Sequence, residues 1–475
     1  MSMIKEKPFI HLFKTIRNYY FYDVNKDTIV LIDQEVYEYL KNGSGSMISE
    51  RGENILKGLC DEGYLSANRC KEIRNMEIDT LGEALEGKIY QLVLQVTQAC
   101  NLTCYYCPYA NITDKKLQRN HTSRTMELET AKKAVDFYIQ HSYENEKCVV
   151  SFYGGEPFLV FDLMKEVIEY VEKVAVGKEI MFNVTTNATL LTDEMISFLV
   201  EHKVDVLFSI DGPEKIHDIN RKRKDGKGTF KIAYHNLQKL CEAYGENARG
   251  RLSVNTVLNP ENDLDDVLEL FTDELFTDSQ IGVAAVKADD EQLEIDIPST
   301  RKFREKLTYQ YFLGMLDYLD IVKDISVPPF VWAYYKEFGK KYAEYKKKSL
   351  DLPEIAAPGG PCIPGQRRLF VNVDGEFFPC ERVSEVSDVM NIGNLKNGFD
   401  LEKAKTLLNI GEITSDKCRN CWAIRHCTAC ARIADGGDTL SAERKLKHCG
   451  EIRSDFEDEL RDCALIKEVR LDYKI

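Results

Sequence analysis

Three thiols stand close together in Gln95-Val-Thr-Gln-Ala-Cys100-Asn-Leu-Thr-Cys104-Tyr-Tyr-Cys107-Pro. Thiolates are soft ligands that suit zinc and iron-sulfur clusters, and a structural zinc site wants four Cys or His ligands. The nearest histidine, His121, is fourteen residues past Cys107, which argues against zinc. A cubane cluster has four irons, so three thiolates leave one iron open to a substrate or cofactor that can accept an electron. Further polar and small residues fall at intervals after this loop: Gly154-Gly155-Glu156-Pro157, Asn187 within Thr185-Thr-Asn-Ala-Thr-Leu, and Ser209 opening Ser209-Ile-Asp-Gly-Pro. Glycines let a backbone approach a ligand closely, and a carboxylate can pair with an ammonium. A second set of thiols, Cys362, Cys380, Cys418, Cys421, Cys427, Cys430 and Cys449, occupies the carboxyl-terminal quarter.

The elements that carry these residues show in the hydrophobic pattern. From Ile89 to about Lys287, short β-rich runs alternate with amphipathic stretches. Strands are expected at Tyr90 to Val96, Val149 to Tyr153, Ile180 to Thr185, Val206 to Ile210, Leu252 to Leu258 and Ile281 to Val286. Helices are expected near 129–142, 163–175, 193–203, 230–244 and 264–275, from apolar spacings of three and four. Six βα repeats imply a parallel sheet, open or curved into part of a barrel, with the active site at the strands' carboxyl ends. Residues 9 to 32 read as a two-stranded hairpin around Asp23-Val-Asn-Lys-Asp27, followed by helices near 34–41 and 48–60. Residues 301–348 read as helical, and the Pro-Gly-rich run from Pro353 marks the break into a cysteine-rich last unit. There, metal stands in for a hydrophobic core.

At 475 residues the chain is too long for one core. A formal charge of -15 disfavours nonspecific nucleic-acid binding. No apolar run reaches the ~18 residues of a spanning helix. Residues 1–8 lack the apolar segment of an export signal, so a cytoplasmic location is expected. Ten of the fifteen cysteines fall in the two groups at metal-ligand spacing. Cys60, Cys70, Cys148, Cys241 and Cys463 read as packing residues.

With an aromatic residue, Tyr106, before the third cysteine and the supporting motifs at successive strand ends, residues 88 to 290 resemble the radical S-adenosylmethionine (SAM) superfamily. The resemblance implies that a 4Fe-4S cluster on Cys100, Cys104 and Cys107 donates one electron to the sulfonium, giving methionine and a 5'-deoxyadenosyl radical that abstracts a substrate hydrogen. It implies that Gly154, Gly155, Glu156 and Pro157 bind the methionyl amino group of SAM, and that Tyr106 is a further cofactor-binding residue. Asn187 and Ser209 would serve the ribose or carboxylate, and Arg221 the carboxylate.

The last unit resembles the SPASM extension, which holds two more 4Fe-4S clusters and so brings the expected total to three. By that resemblance Cys418, Cys421, Cys427 and Cys449 close one cluster, and Cys362, Cys380 and Cys430 hold the other. Two residues separate Cys427 from Cys430, where the family pattern has three. Seven thiols are one short of eight, so one iron is open or is filled by a distant residue. An open iron suits a substrate thiolate.

The opening module resembles the winged-helix-like element that captures a leader peptide by strand addition, with Tyr19 to Val24 or Thr28 to Leu31 as its edge. The expected fold is thus α/β. Residues 1–85 form the leader-recognition domain, 88–300 a partial (β/α)6 TIM-like barrel, 301–358 a helical bridge and 359–475 the SPASM domain. The whole looks most like the ranthipeptide maturases, the freyrasin and six-cysteine-peptide enzymes. They install thioether links from a cysteine sulfur to a carbon of another residue in a ribosomally made, cysteine-rich precursor peptide. Flavodoxin or ferredoxin is the expected electron donor, and neither nucleic acid nor membrane is an expected partner. The rivals are a carbon-carbon crosslinking maturase, a formylglycine-forming anaerobic sulfatase maturase and a noncatalytic iron-sulfur electron carrier. Sulfatase maturases lack the leader-binding module and carry the eighth cysteine.

Overall fold

The computed structural model describes residues 6–43, 47–107, 109, 117–277, 282–287, 301–323, 325–344 and 351–473. The amino-terminal module is a three-stranded antiparallel sheet, β1 (Ile10–Lys14), β2 (Tyr19–Asp23) and β3 (Thr28–Ile32), followed by helices Gln34–Asn42 and Glu50–Asp61. The expected hairpin therefore has three strands. Thr15 breaks the first run, its hydroxyl accepting from Arg17 N and Asn18 N as a turn does. This places β2 in the middle of the sheet, paired on both sides, so Tyr19 to Val24 is no open edge. Only Thr28 to Leu31, in β3, keeps the edge position expected of it.

Six parallel strands form the central sheet: β4 (Gln91–Thr97), β5 (Lys147–Gly154), β6 (Glu179–Thr186), β7 (Asp205–Ser209), β8 (Leu252–Leu258) and β9 (Gly282–Lys287). They neighbour one another in chain order. Ile281, expected to open the last strand, lies outside the described residues. Leu92, Val93, Leu94 and Val96 are all buried, an apolar run interrupted only by Gln95, as in a parallel strand covered on both faces. The helix Phe161–Val174 covers the sheet with Phe161, Met164, Val167, Ile168 and Val171, which recur on one face. The helix Asp193–Glu201 starts at Thr192, whose hydroxyl accepts from Met195 N at 3.2 Å.

The carboxyl-terminal region adds strands to this sheet. Its strand β10 (Leu369–Val371) pairs in parallel with β4, and β11 (Glu376–Phe378), β12 (Gly393–Asn394) and β13 (Gly398–Phe399) extend the sheet antiparallel, giving ten strands in one sheet. A core of Phe370, Phe377, Met390 and Ile392 merges with that of the parallel strands. Helices Arg301–Tyr318 and Pro329–Glu344 pack together where one helical stretch was expected, and residues 345–348 of that stretch lie outside the described residues. The chain closes with Ala442–Tyr473, a helix of 32 residues. No helix among the described residues is long and apolar enough to cross a membrane.

Candidate active site at the carboxyl ends of the strands

Cys100 comes just after β4. Leu102 N approaches its sulfur at 3.5 Å, and Cys107 N donates to Cys104 O at 3.2 Å, which folds the three thiols back on one loop. The short strand Leu102–Cys104 pairs antiparallel with Arg221–Arg223, setting Arg221 opposite Cys104. In this register the Arg221 guanidinium lies 3.9 Å from the Cys104 sulfur. Burial pushes the Cys100 thiol up to about 11 and the Cys104 thiol up to about 12, the Arg221 charge pulling the latter back. Metal binding displaces such protons.

The Gly-Gly-Glu-Pro turn docks on the same loop. Gly155 N donates to Thr97 O and Glu156 N to Ala99 O, both at 2.8 Å. A Cβ at Gly154 would strike Thr97 O and one at Gly155 would strike Ala99 O, and Gly154 has a φ of +143°. The glycines are thus required for one backbone to lie against another. Glu156 is 1% exposed and turned inward. Its carboxylate accepts from Phe158 N (3.2 Å), Thr186 Oγ1 (2.7 Å) and Asn187 N (2.8 Å), while burial pushes it up to about 7. Pro157 opens the short turn of 3-10 helix that Glu156 caps. Asn187 donates from Nδ2 to Asn101 Oδ1 at 2.9 Å and accepts from Thr189, so the end of β6 is tied to the residue after Cys100. Ser209, buried, ends β7 opposite Asn255.

Two residues past Ser209, Asp211 is fully buried. It accepts from Arg221 Nε at 3.1 Å, from Tyr106 OH, and from Val257 N at 3.2 Å. Tyr106 and Arg221 therefore share one carboxylate beside Cys104. Asp211 stands inside the Ser-Ile-Asp-Gly-Pro motif, and an acid directly after an apolar strand was the signal that could have assigned it. His121 is also closer than its spacing suggested: Nε2 is 3.4 Å from Cys107 Sγ, and Nδ1 is 2.9 Å from Gln98 O. Burial lowers its proton affinity. A second buried ion pair, Arg119 with Glu385 at 2.5 Å, ties Gln95, Tyr109 and the carbonyl of Glu381 together behind Cys107.

In the carboxyl-terminal region Cys421 N donates to Cys418 O at 3.0 Å. Cys427 and Cys449 each interact electrostatically with Cys418 and Cys421, so these four thiols form one group. Cys380, which burial pushes up to about 11, has Cys430 as a neighbour. Cys362 is exposed, on a segment whose Gly359 and Gly360 lie against the carbonyls of Arg425 and Cys427. Among the described residues no three Cys, His, Asp or Glu side chains converge tightly enough to hold a single metal ion. Grouped thiols at wider separation suit a cubane, whose ligands sit on different irons. Of the five scattered cysteines, Cys70, Cys148, Cys241 and Cys463 are buried, whereas Cys60 is exposed.

Residues 94–273 match the family model of the radical SAM superfamily. The chain is related to anaerobic sulfatase-maturating enzymes. It is 24% identical over 385 residues to the cysteine-type enzyme of Clostridium perfringens, covering 77% of this chain and 95% of that one. The serine-type enzyme of Bacteroides thetaiotaomicron is 36% identical over 143 residues, 30% of this chain. An uncharacterized protein of Methanocaldococcus jannaschii is 37% identical over 136 residues, 29% of this chain. The chain spans only 43% of the length of the Methanocaldococcus protein and 34% of the Bacteroides one. The solved structure of native anSMEcpe with bound AdoMet shares the fold, with a TM-score of 0.56 at 22% identity over 78% of this chain and 99% of that one. The same protein with AdoMet and the Kp18Cys peptide gives the same TM-score of 0.56, identity and coverage.

Proposed function

We propose that this chain uses SAM to modify a cysteine-containing peptide, joining a cysteine sulfur to a carbon of another residue. Cys100, Cys104 and Cys107 would hold the cluster that binds SAM. The single observation that carries this is their grouping on one loop, clasped by the Gly154–Pro157 turn at the carboxyl ends of the parallel strands. Together, the reduced cluster and SAM supply a carbon radical able to abstract hydrogen from a peptide. The chain's own part is to orient and enclose. Asp211 holds Arg221 beside Cys104 and keeps Tyr106 against the loop. Glu156 braces the end of β6 under Asn187. The ring of Tyr109, stacked on His121 at 5.2 Å, closes the site behind Cys107.

The thioether reading is supported by the edge strand β3, where Leu31 is 55% exposed and a leader peptide can add as a further strand. Docking there would keep the core peptide near the radical at high effective concentration. A free iron at Cys362, Cys380 and Cys430 would present the substrate sulfur. A second reading, oxidation of a cysteine to formylglycine, is favoured by the alignment that spans 95% of the Clostridium perfringens enzyme.

Anaerobic incubation of the reconstituted protein with a cysteine-rich precursor peptide, followed by alkylation and tandem mass analysis, separates the outcomes. A thioether removes two hydrogens per link and blocks a thiol. Formylglycine loses the sulfur altogether, and a carbon-carbon link leaves every cysteine alkylatable; either result rejects the thioether.

A further inference from the structure

Lys445 lies in the first turn of the helix Ala442–Tyr473 and is only 1% exposed, enclosed as fully as the core phenylalanines. Its Nζ donates to Thr414 Oγ1 and lies 3.2 Å from the sulfur of Cys418, and that hydroxyl is itself 3.2 Å from the same sulfur. One helical turn on, Cys449 Sγ is 3.6 Å from the carbonyl of Lys445. The buried lysine and threonine thus form one cluster with two half-buried thiols. The lysine charge also reaches Cys427 and Cys449.

An ammonium enclosed without an opposite charge is costly. Among the described residues no carboxylate forms an ion pair with Lys445. What faces it is sulfur. The arrangement makes sense where those sulfurs are thiolates bound to a cluster.

We propose that Lys445 donates to the ligating sulfur of Cys418 and raises the reduction potential of the 4Fe-4S cluster held by Cys418, Cys421, Cys427 and Cys449. This rests on the reading of those four cysteines as ligands. Four thiolates make the cubane an anion whose negative charge grows by one when an electron is added, with no bond made or broken. A positive charge and an N–H···S bond in a low-dielectric interior stabilise the reduced form more than the oxidised one. In thioether formation, one hydrogen atom leaves the carbon for the deoxyadenosyl radical, the thiol proton goes to solvent, and closing the carbon-sulfur bond releases one electron. A raised potential makes this cluster the acceptor for it.

The test is an EPR-monitored redox titration of anaerobically reconstituted holoprotein, with iron content and circular dichroism as controls. In Lys445→Met the signal of this cluster should move to lower potential by about tenfold in its reduction equilibrium, ~59 mV for a one-electron couple. The signal of the SAM-binding cluster should stay in place. Lys445→Arg, which keeps the charge, should fall between Lys445→Met and the wild type. An unchanged midpoint in iron-replete Lys445→Met overturns the inference while leaving the cluster assignment standing. If Lys445→Met does not load iron, Thr414→Val is measured instead, where loss of the lysine's anchor should lower the midpoint and an unchanged one overturns the inference. Wild-type protein showing no cluster beyond the SAM-binding one sinks the ligand reading itself.

Discussion

At the scale of single residues, the buried ion pair Arg221–Asp211 does most to shape the site. Arg221 is 7% and Asp211 0% exposed, and both face Tyr106 and Cys104. Removing one partner leaves the other charge buried and unpaired, so Arg221→Gln should cost ~3–5 kcal/mol in urea unfolding. Adding Asp211→Asn should recover part of that loss, and strictly additive losses would show that the two do not act as a pair. The cysteines, the glycines of the turn and Arg221 were legible in the sequence as candidates, because their chemistry depends on type and spacing. Asp211, His121 and Lys445 were not, since each acquires its meaning from partners on another element, as Asp211 does from Tyr106 and Lys445 from Cys418. Lys445 left one trace, its position four residues before Cys449, which puts both on one helical face.

At the scale of elements, the six parallel strands follow the expected order with boundaries shifted by at most two residues, whereas the helix expected over 264–275 is split into Leu264–Leu268, a 3-10 turn at Glu269–Thr272 and Glu274–Thr277. Burial on both faces makes such strands read as continuous apolar runs, so local pattern suffices to find them. Pairing across the chain is another matter. Nothing in Leu369–Val371 announces that it lies beside β4, because three residues carry no periodicity and the partner is far away in sequence. The same holds for the contact of the last helix with Pro329–Glu344. There Asp462 accepts from Tyr335 OH at 3.3 Å and Tyr334 OH at 3.4 Å, and burial pushes its carboxyl from 3.8 up to about 6. A folded value above the unfolded one favours the protonated native state. The contribution is therefore full below about pH 3.8 and is lost as pH rises through about 6. In urea titrations the wild type should lose roughly 2–3 kcal/mol across that window. Asp462→Asn, neutral throughout, should show a flatter profile, and an equal slope in both would remove Asp462 as the source.

At the scale of the whole molecule, the amino-terminal module is built into the carboxyl-terminal region. Phe13, Tyr20 and Tyr22 share a core with Ala423, Ile424, Phe456 and Leu460, and His11 stacks on Trp422 at 3.6 Å. Glu468 accepts from Thr15 OH, Asn18 Nδ2 and Tyr20 OH at 2.6–2.9 Å. Deleting residues 1–80 would expose this apolar face, so truncation confounds peptide binding with folding. A surface change is cleaner. Leu31→Asp on the free edge should weaken precursor-peptide affinity at least tenfold by fluorescence anisotropy with the melting temperature unchanged; undiminished affinity would reject β3 as the docking edge. The account as a whole depends on one iron having no protein ligand at the loop of Cys100, Cys104 and Cys107, and His121, 3.4 Å from Cys107, is the side chain placed to contest it. Pulsed EPR of the reduced holoprotein with SAM carrying 15N in its amino group reads that corner directly. A 15N coupling to the cluster is the predicted result, and a histidine nitrogen coupling that persists when SAM is added would contradict it.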